Sequence, residues 1–215
     1  MCFSPTASFA TSGLLALVGA LCIRSAKNKK LLPFAMIPLI FAAQQACEGF
    51  VWITYPWPIS YFFAVLFIIF AITWPMWIPY SLYSFEPGKK RRIILWYDTL
   101  AGIALSAGGL FMVARHGIDV AIINHSIAYQ LTNAYQEIPE YGTWLLWAWY
   151  RATVVVPSFI SSFKEIRMLG LLLLIADAIA YVFWKTTFTS VWCFFAAGIS
   201  LWVLYVIKQI HLKRS

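Results

Sequence analysis

Charge is scarce in this chain. Only 11% of its 215 residues are charged and only 8 are acidic, against roughly 25% charged in ordinary soluble domains. So little charge cannot cover a water-facing surface, and a soluble globular domain is excluded. Histidine is scarce too: His116, His125 and His211 are the whole supply, too few for the multi-histidine zinc set of membrane hydrolases. The 4 cysteines stand apart, with no Cys-x-x-Cys, His-x-x-x-His or His-Glu-x-x-His spacing to signal a metal site. There is no glycine-rich phosphate loop and no Gly-x-Ser-x-Gly elbow. The last apolar run has Lys185 and Lys208 at its two ends and no lysine between them, which excludes a retinal Schiff base.

What the chain has is apolar length. It is 62% hydrophobic and 18% aromatic, with a mean hydropathy of +0.77. Apolar runs of about 18 or more residues, enough to cross a bilayer, lie at residues 7–23, 31–54, 59–83, 93–114, 141–163, 168–184 and 188–207. The expectation is an all-α integral membrane protein, a single domain over residues 1–215 with seven transmembrane helices and the lipid bilayer as its surroundings. The net charge of +8 does not mark a nucleic-acid partner, because the basic residues stand in short clusters between apolar runs rather than along one face. Arg24, Lys27, Lys29 and Lys30 follow the first run; Lys89, Lys90, Arg91 and Arg92 the third; Lys164 and Arg167 the fifth; Lys208, Lys213 and Arg214 the last. These are alternate connections, hence one side, and short basic connections stay in the cytoplasm. The N terminus is therefore expected outside and the C terminus inside, in a bacterial inner (plasma) membrane. The first run lacks a preceding basic segment and reads as a retained helix rather than a cleaved signal.

Aromatic residues gather at both expected interfaces, Trp52, Tyr55 and Trp57 at one and Trp74, Trp77, Tyr80 and Tyr83 at the other, and read as interfacial belts. Between helices four and five lies a polar interval, residues 115–140. Its segment "HSIAYQLTNAY" (residues 125–135) has the β-branched and aromatic content of extended structure, and it is expected to form an outer lid.

Within the second run, "AAQQACEGFVW" (residues 42–52) interrupts the apolar pattern. Gln44 and Glu48 are four residues apart and Gln45 and Glu48 three, so all share one helix face, continued by Trp52. At 1.5 Å per residue Glu48 lies roughly 9 Å from the outer end of the run. A carboxyl at that depth must face the bundle interior and needs a cation, a metal or a proton. Groups at matching depth on other segments are Arg151 in "WAWYRATVVVP", Cys193 in "SVWCFFAAGIS", His125 in the outer interval and Cys2 at the outer terminus. Arg151 alternatively forms a purely structural ion pair with Glu48. Cys2 and Cys193 alternatively form a disulfide. With Met1 removed, Cys2 carries an amine and a thiol, and Cys2, Glu48, His125 and Cys193 together would suit zinc or copper. Asp177 lies in mid span six with no assigned partner.

"MCFSPTASF", "LPFAMIPLIFAAQQACEGFVW" (residues 32–52), "NHSIAY" (residues 124–129) and "SVWCFFAAGIS" (residues 190–200) together resemble a prokaryotic family of uncharacterised multi-pass membrane proteins that begin Met-Cys-Phe-Ser. The likeness spans nearly the whole chain and implies the same topology, but no chemistry. The functional expectation from the residues is an outer-leaflet thiol and carboxylate pocket, with or without a metal, that binds or modifies a small membrane-accessible molecule. The alternatives are a receptor or sensor that binds ligand without chemistry, and a small transporter.

Overall fold

A computed structural model describes residues 4–132 and 140–212. It is a bundle of seven helical passes, six of them long and apolar enough to cross a membrane. Helix α1 (Pro5–Ser25) starts where Ser4, in extended conformation, accepts the backbone N–H of Ala7 at 3.2 Å, and Pro5 fills the first turn, where no donor is required. The second pass comes in two pieces, α2 (Leu32–Ala35) and α3 (Ile37–Thr54), divided at Met36 because Pro38 has no N–H to offer the turn before it. Then follow α4 (Ile59–Tyr83), α5 (Lys89–His116), α6 (Glu140–Ile160) and α7 (Lys164–Phe183). The last pass, expected as one helix, is α8 (Phe188–Ile199) and α9 (Trp202–Leu212), interrupted where the Ser200 hydroxyl donates to the Ala197 carbonyl at 2.6 Å.

Helix α6 is the departure from the expected seven spans. Its 21 residues give it a bilayer's length, but Trp144, Trp147, Trp149, Tyr150 and Arg151 lower its hydropathy, and it is not among the six spanning candidates.

The prolines of α4 are accommodated by its neighbours. Pro75 cannot bond the carbonyl of Ala71 one turn back, and that oxygen instead accepts the Tyr150 hydroxyl of α6 at 2.7 Å. Pro79 likewise frees the carbonyl of Pro75, against which α5 packs at Gly102; a Cβ at Gly102 would lie 2.0 Å from that oxygen. Only glycine lets the two backbones approach this closely.

The connections collect at two ends. At one, the Ser84 hydroxyl donates to the carbonyl of Lys30 at 2.6 Å, and Glu86 accepts from Gly88 N (3.2 Å), Ser161 Oγ (3.3 Å), Ser162 N (3.0 Å) and Ser162 Oγ. Arg91 Nη1 donates to the same Ser162 Oγ at 2.7 Å. This is the basic end, with Lys29, Lys30, Lys89, Lys90, Arg91 and Arg92 on its connections. At the other end Gly117 stops α5 with φ +70°, a conformation that side chains resist. An antiparallel hairpin follows, β1 (Ile118–Ile123) paired with β2 (Ser126–Leu131), Ile118 opposite Leu131 and Ile123 opposite Ser126. Its two-residue turn places Asn124 and His125 at φ 47° and 57°, as the twist of a tight hairpin demands. The hairpin is packed into the bundle: Ile118 and Ile127 are buried with Val51, Ala64 and Val113, and the Ser126 hydroxyl donates to Thr187 Oγ1 at 2.8 Å.

Candidate functional site: a buried polar cluster beside an open groove

Helices α3 and α8 meet through two polar rungs. Gln44 Nε2 donates to Cys193 Sγ at 3.3 Å, while Gln44 Oε1 accepts from Trp74 Nε1 at 2.9 Å. One turn along, the Ser190 hydroxyl donates to Glu48 Oε1. Residue numbers rise on α3 as they fall on α8, so the helices run antiparallel, and the four- and three-residue spacings bring both rungs to the facing sides. Gln44, Gln45, Glu48, Ser190 and Cys193 are all buried.

The cluster is not saturated. Gln45 lies close to the Glu48 carboxyl without completing a hydrogen bond, and both of its amide atoms are buried without a partner. Glu48 Oε2, Trp52 Nε1, Tyr129 Oη and Trp192 Nε1 are buried and unpartnered as well. An unmet buried polar group costs about 1–3 kcal/mol, and a folded chain leaves few of them.

Tyr129, on β2, joins this cluster to the hairpin. Its ring stacks on Phe67 at 4.7 Å with the planes 13° apart. Burial, and then the nearby Glu48, Cys193 and Cys47, push its phenol above the ordinary tyrosine range, which puts its hydroxyl in their electrostatic company. The other side of Tyr129 faces a groove of about 610 Å³ between α5 and α6. Ala71 of α4 forms its back, Gly108 and Leu105 one wall, Leu146 and Trp147 the other, and Trp192 its far side. A Cβ added at Gly108 would meet nothing within 4 Å. A second, apolar cavity of about 40 Å³ lies beside Cys193, with Trp192 and Tyr150 on its wall.

The remaining expected residues lie elsewhere. Arg151 does not pair with Glu48; its Nε lies 3.1 Å from Asp177 Oδ1 on α7, and its guanidinium covers the rings of Tyr181 and Phe188 at 4.7 Å each. Equal depth placed Arg151 near Glu48, but it points to a different side of the bundle. His125 is exposed at the hairpin turn, because a two-residue turn projects its central side chains outward. Among the described residues no three His, Cys, Asp or Glu side chains group as metal ligands, so the expected zinc or copper set is not gathered there; its fourth member, Cys2, lies outside the described residues. Cys22, Cys47 and Cys193 are free thiols. Trp74 is buried and bonds Gln44 rather than standing in a belt, while Trp77 is half-buried and its Nε1 donates to the Pro33 carbonyl at 3.1 Å.

Sequence reasoning missed Ser190, Trp74, Tyr129 and Trp192. Ser190 carried a signal, standing three residues before Cys193 and therefore on its helix face. Tyr129 carried one as well, alternating with Ile127 on β2.

No curated protein and no solved structure matches the chain. A family model described as "Family of unknown function (DUF6629)" matches residues 1–214. The chain belongs to that family.

Proposed function

We propose that this is a membrane-embedded binding protein whose groove between α5 and α6 admits a small molecule from the bilayer and whose buried cluster around Glu48 and Gln45 receives its polar head. The observation that carries the reading is a juxtaposition. Tyr129 and Trp192, whose Oη and Nε1 are buried and unpartnered, line an apolar groove whose volume falls in the roughly 300–1,000 Å³ of small-molecule sites. Tyr129 belongs to both. A polar head supplies the bonds the cluster lacks, and an apolar tail takes the groove. Glu48, Gln45 and Tyr129 are the head-contacting residues, and Gln44, Ser190 and Trp74 position them. Passage through the bundle is disfavoured by the Glu86 network, which ties the connections of the basic end together. The basic end faces the cytoplasm in this reading, and a thiol reagent should reach an introduced Asn28→Cys only after the membrane is permeabilised.

A photoreactive, uncharged hexadecanol with a mid-chain diazirine tests the groove. In phosphatidylcholine nanodiscs it should crosslink to α5 and α6. Gly108 lines the groove and has open space at its Cβ position, so Gly108→Phe should fill the groove and remove that labelling while the thermal unfolding midpoint holds. Equal labelling of the two proteins overturns the proposal.

A further inference from the structure

We infer that the ligand is a single-chain amphiphile whose head is a protonated primary amine seated on Glu48. This inference rests on the groove reading above and goes beyond it by fixing the chemistry of the head. Three acceptors stand together unpartnered: Glu48 Oε2, Gln45 Oε1 and Tyr129 Oη. Glu48 and Gln45 are neighbours on one turn of α3, and Tyr129 packs against the buried cluster that holds Cys47 and Cys193. An ammonium head offers three N–H donors and no acceptor, which matches that set in number and in kind. The donors Gln45 Nε2, Trp52 Nε1, Trp192 Nε1 and the Tyr129 hydroxyl proton are left for water or for a second polar atom on the ligand.

Charge leads to the same head. A carboxyl buried inside a bundle needs a cation, a metal or a proton, and of these an organic cation also brings hydrogen-bond donors. The one arginine within the helical interior, Arg151, is taken by Asp177 and two aromatic rings. The lysines and other arginines of the described residues lie on the connections and helix ends. Glu48 receives one hydroxyl, that of Ser190. A carboxylate or phosphate head would meet Glu48 with like charge, and an alcohol would bring one donor and no charge. Among candidate heads the cationic amine alone both neutralises Glu48 and fills the acceptors.

The route is also drawn by named residues. Tyr129 lines the groove and packs against the buried cluster that holds Cys47 and Cys193, so a head group leaving the groove for Glu48 passes this side chain. Trp192 forms the adjoining wall of the groove and of the small cavity beside Cys193. The tail then lies along Ala71, Leu105 and Leu146, where the lining is apolar.

The test is competition in phosphatidylcholine nanodiscs, with the photoreactive hexadecanol as the labelled probe and unlabelled hexadecylamine, hexadecanol and palmitic acid as competitors. The amine should displace the probe at a concentration about tenfold or more below the alcohol, the margin of one charge-assisted hydrogen bond, and the acid should be weakest. Glu48→Gln should bring the amine level with the alcohol. If alcohol or acid competes as well as the amine against the wild-type protein, the amine head is wrong while groove binding stands. If the wild-type protein labels no more than Gly108→Phe, the groove reading itself fails and this inference with it. The wild-type competition decides the matter even if Glu48→Gln does not fold.

Discussion

Glu86 and Glu48 are both buried carboxyls, 3% and 1% exposed, and they are served very differently. Glu86 sits where connections meet and collects four donors, two of them backbone N–H groups. Glu48 sits in mid-helix and receives one, a serine hydroxyl. The difference lies in what surrounds them. Backbone N–H groups at turns and helix ends are free to bond a carboxylate, whereas those inside a helix are committed to the turn before. A carboxyl in a loop can therefore be satisfied by the chain itself, and a carboxyl between helices depends on side chains or on something from outside. Glu86 reads as a tie between connections, and Glu48 keeps one oxygen without a partner, the oxygen that the proposed ligand would meet.

Three substitutions press on that contrast. The largest effect belongs to Glu86→Ala, which strips the bonds of Gly88 N, Ser162 N and both serine hydroxyls at once; with hydrogen bonds to charged groups worth about 1.5–3 kcal/mol each and some rescue by water, stability should fall by about 3 kcal/mol or more. Denaturant unfolding in mixed micelles measures it, and a change below about 1 kcal/mol would remove the tie from the account. Tyr150→Phe is intermediate. It leaves the Ala71 carbonyl, already freed by Pro75, without a donor, so a loss of about 1–3 kcal/mol is expected, and it calibrates what a single unmet bond costs in this bundle. Glu48→Gln is the smallest, within about 1 kcal/mol, since shape and the Ser190 contact persist. A loss as large as that of Glu86→Ala would make Glu48 a second structural tie and erase the contrast.

Much of this was legible beforehand, and the rest was not, for a physical reason. Hydropathy and helix rise give position along the membrane normal. They placed the passes, the basic end and the depth of Gln44, Gln45 and Glu48, and helical spacing put those three on one face. They do not give rotation about the normal. Arg151 shares the depth of Glu48 yet faces Asp177, while Ser190 and Trp74 reach the α3 residues from 142 and 30 positions away in the chain. Partners of that kind are chosen by tertiary packing. The hairpin shows a related limit: β2 was visible in its branched and aromatic residues, whereas β1, "IDVAII", is a short apolar stretch inside an interval that read as polar, set off from α5 by Arg115, His116 and Gly117.

The bond between Tyr150 and the Ala71 carbonyl carries an evolutionary constraint. It exists because Pro75 cannot make the bond that any other residue there would make. In a related chain with another residue at position 75, the backbone N–H of α4 would bond the Ala71 carbonyl, and a tyrosine at position 150 would be a second donor to an oxygen already served, as Ser106 is to the Ile72 carbonyl. The coupling should thus run one way, a proline at position 75 keeping a tyrosine at position 150 and another residue at 75 leaving position 150 free to vary, although 75 residues of sequence separate them.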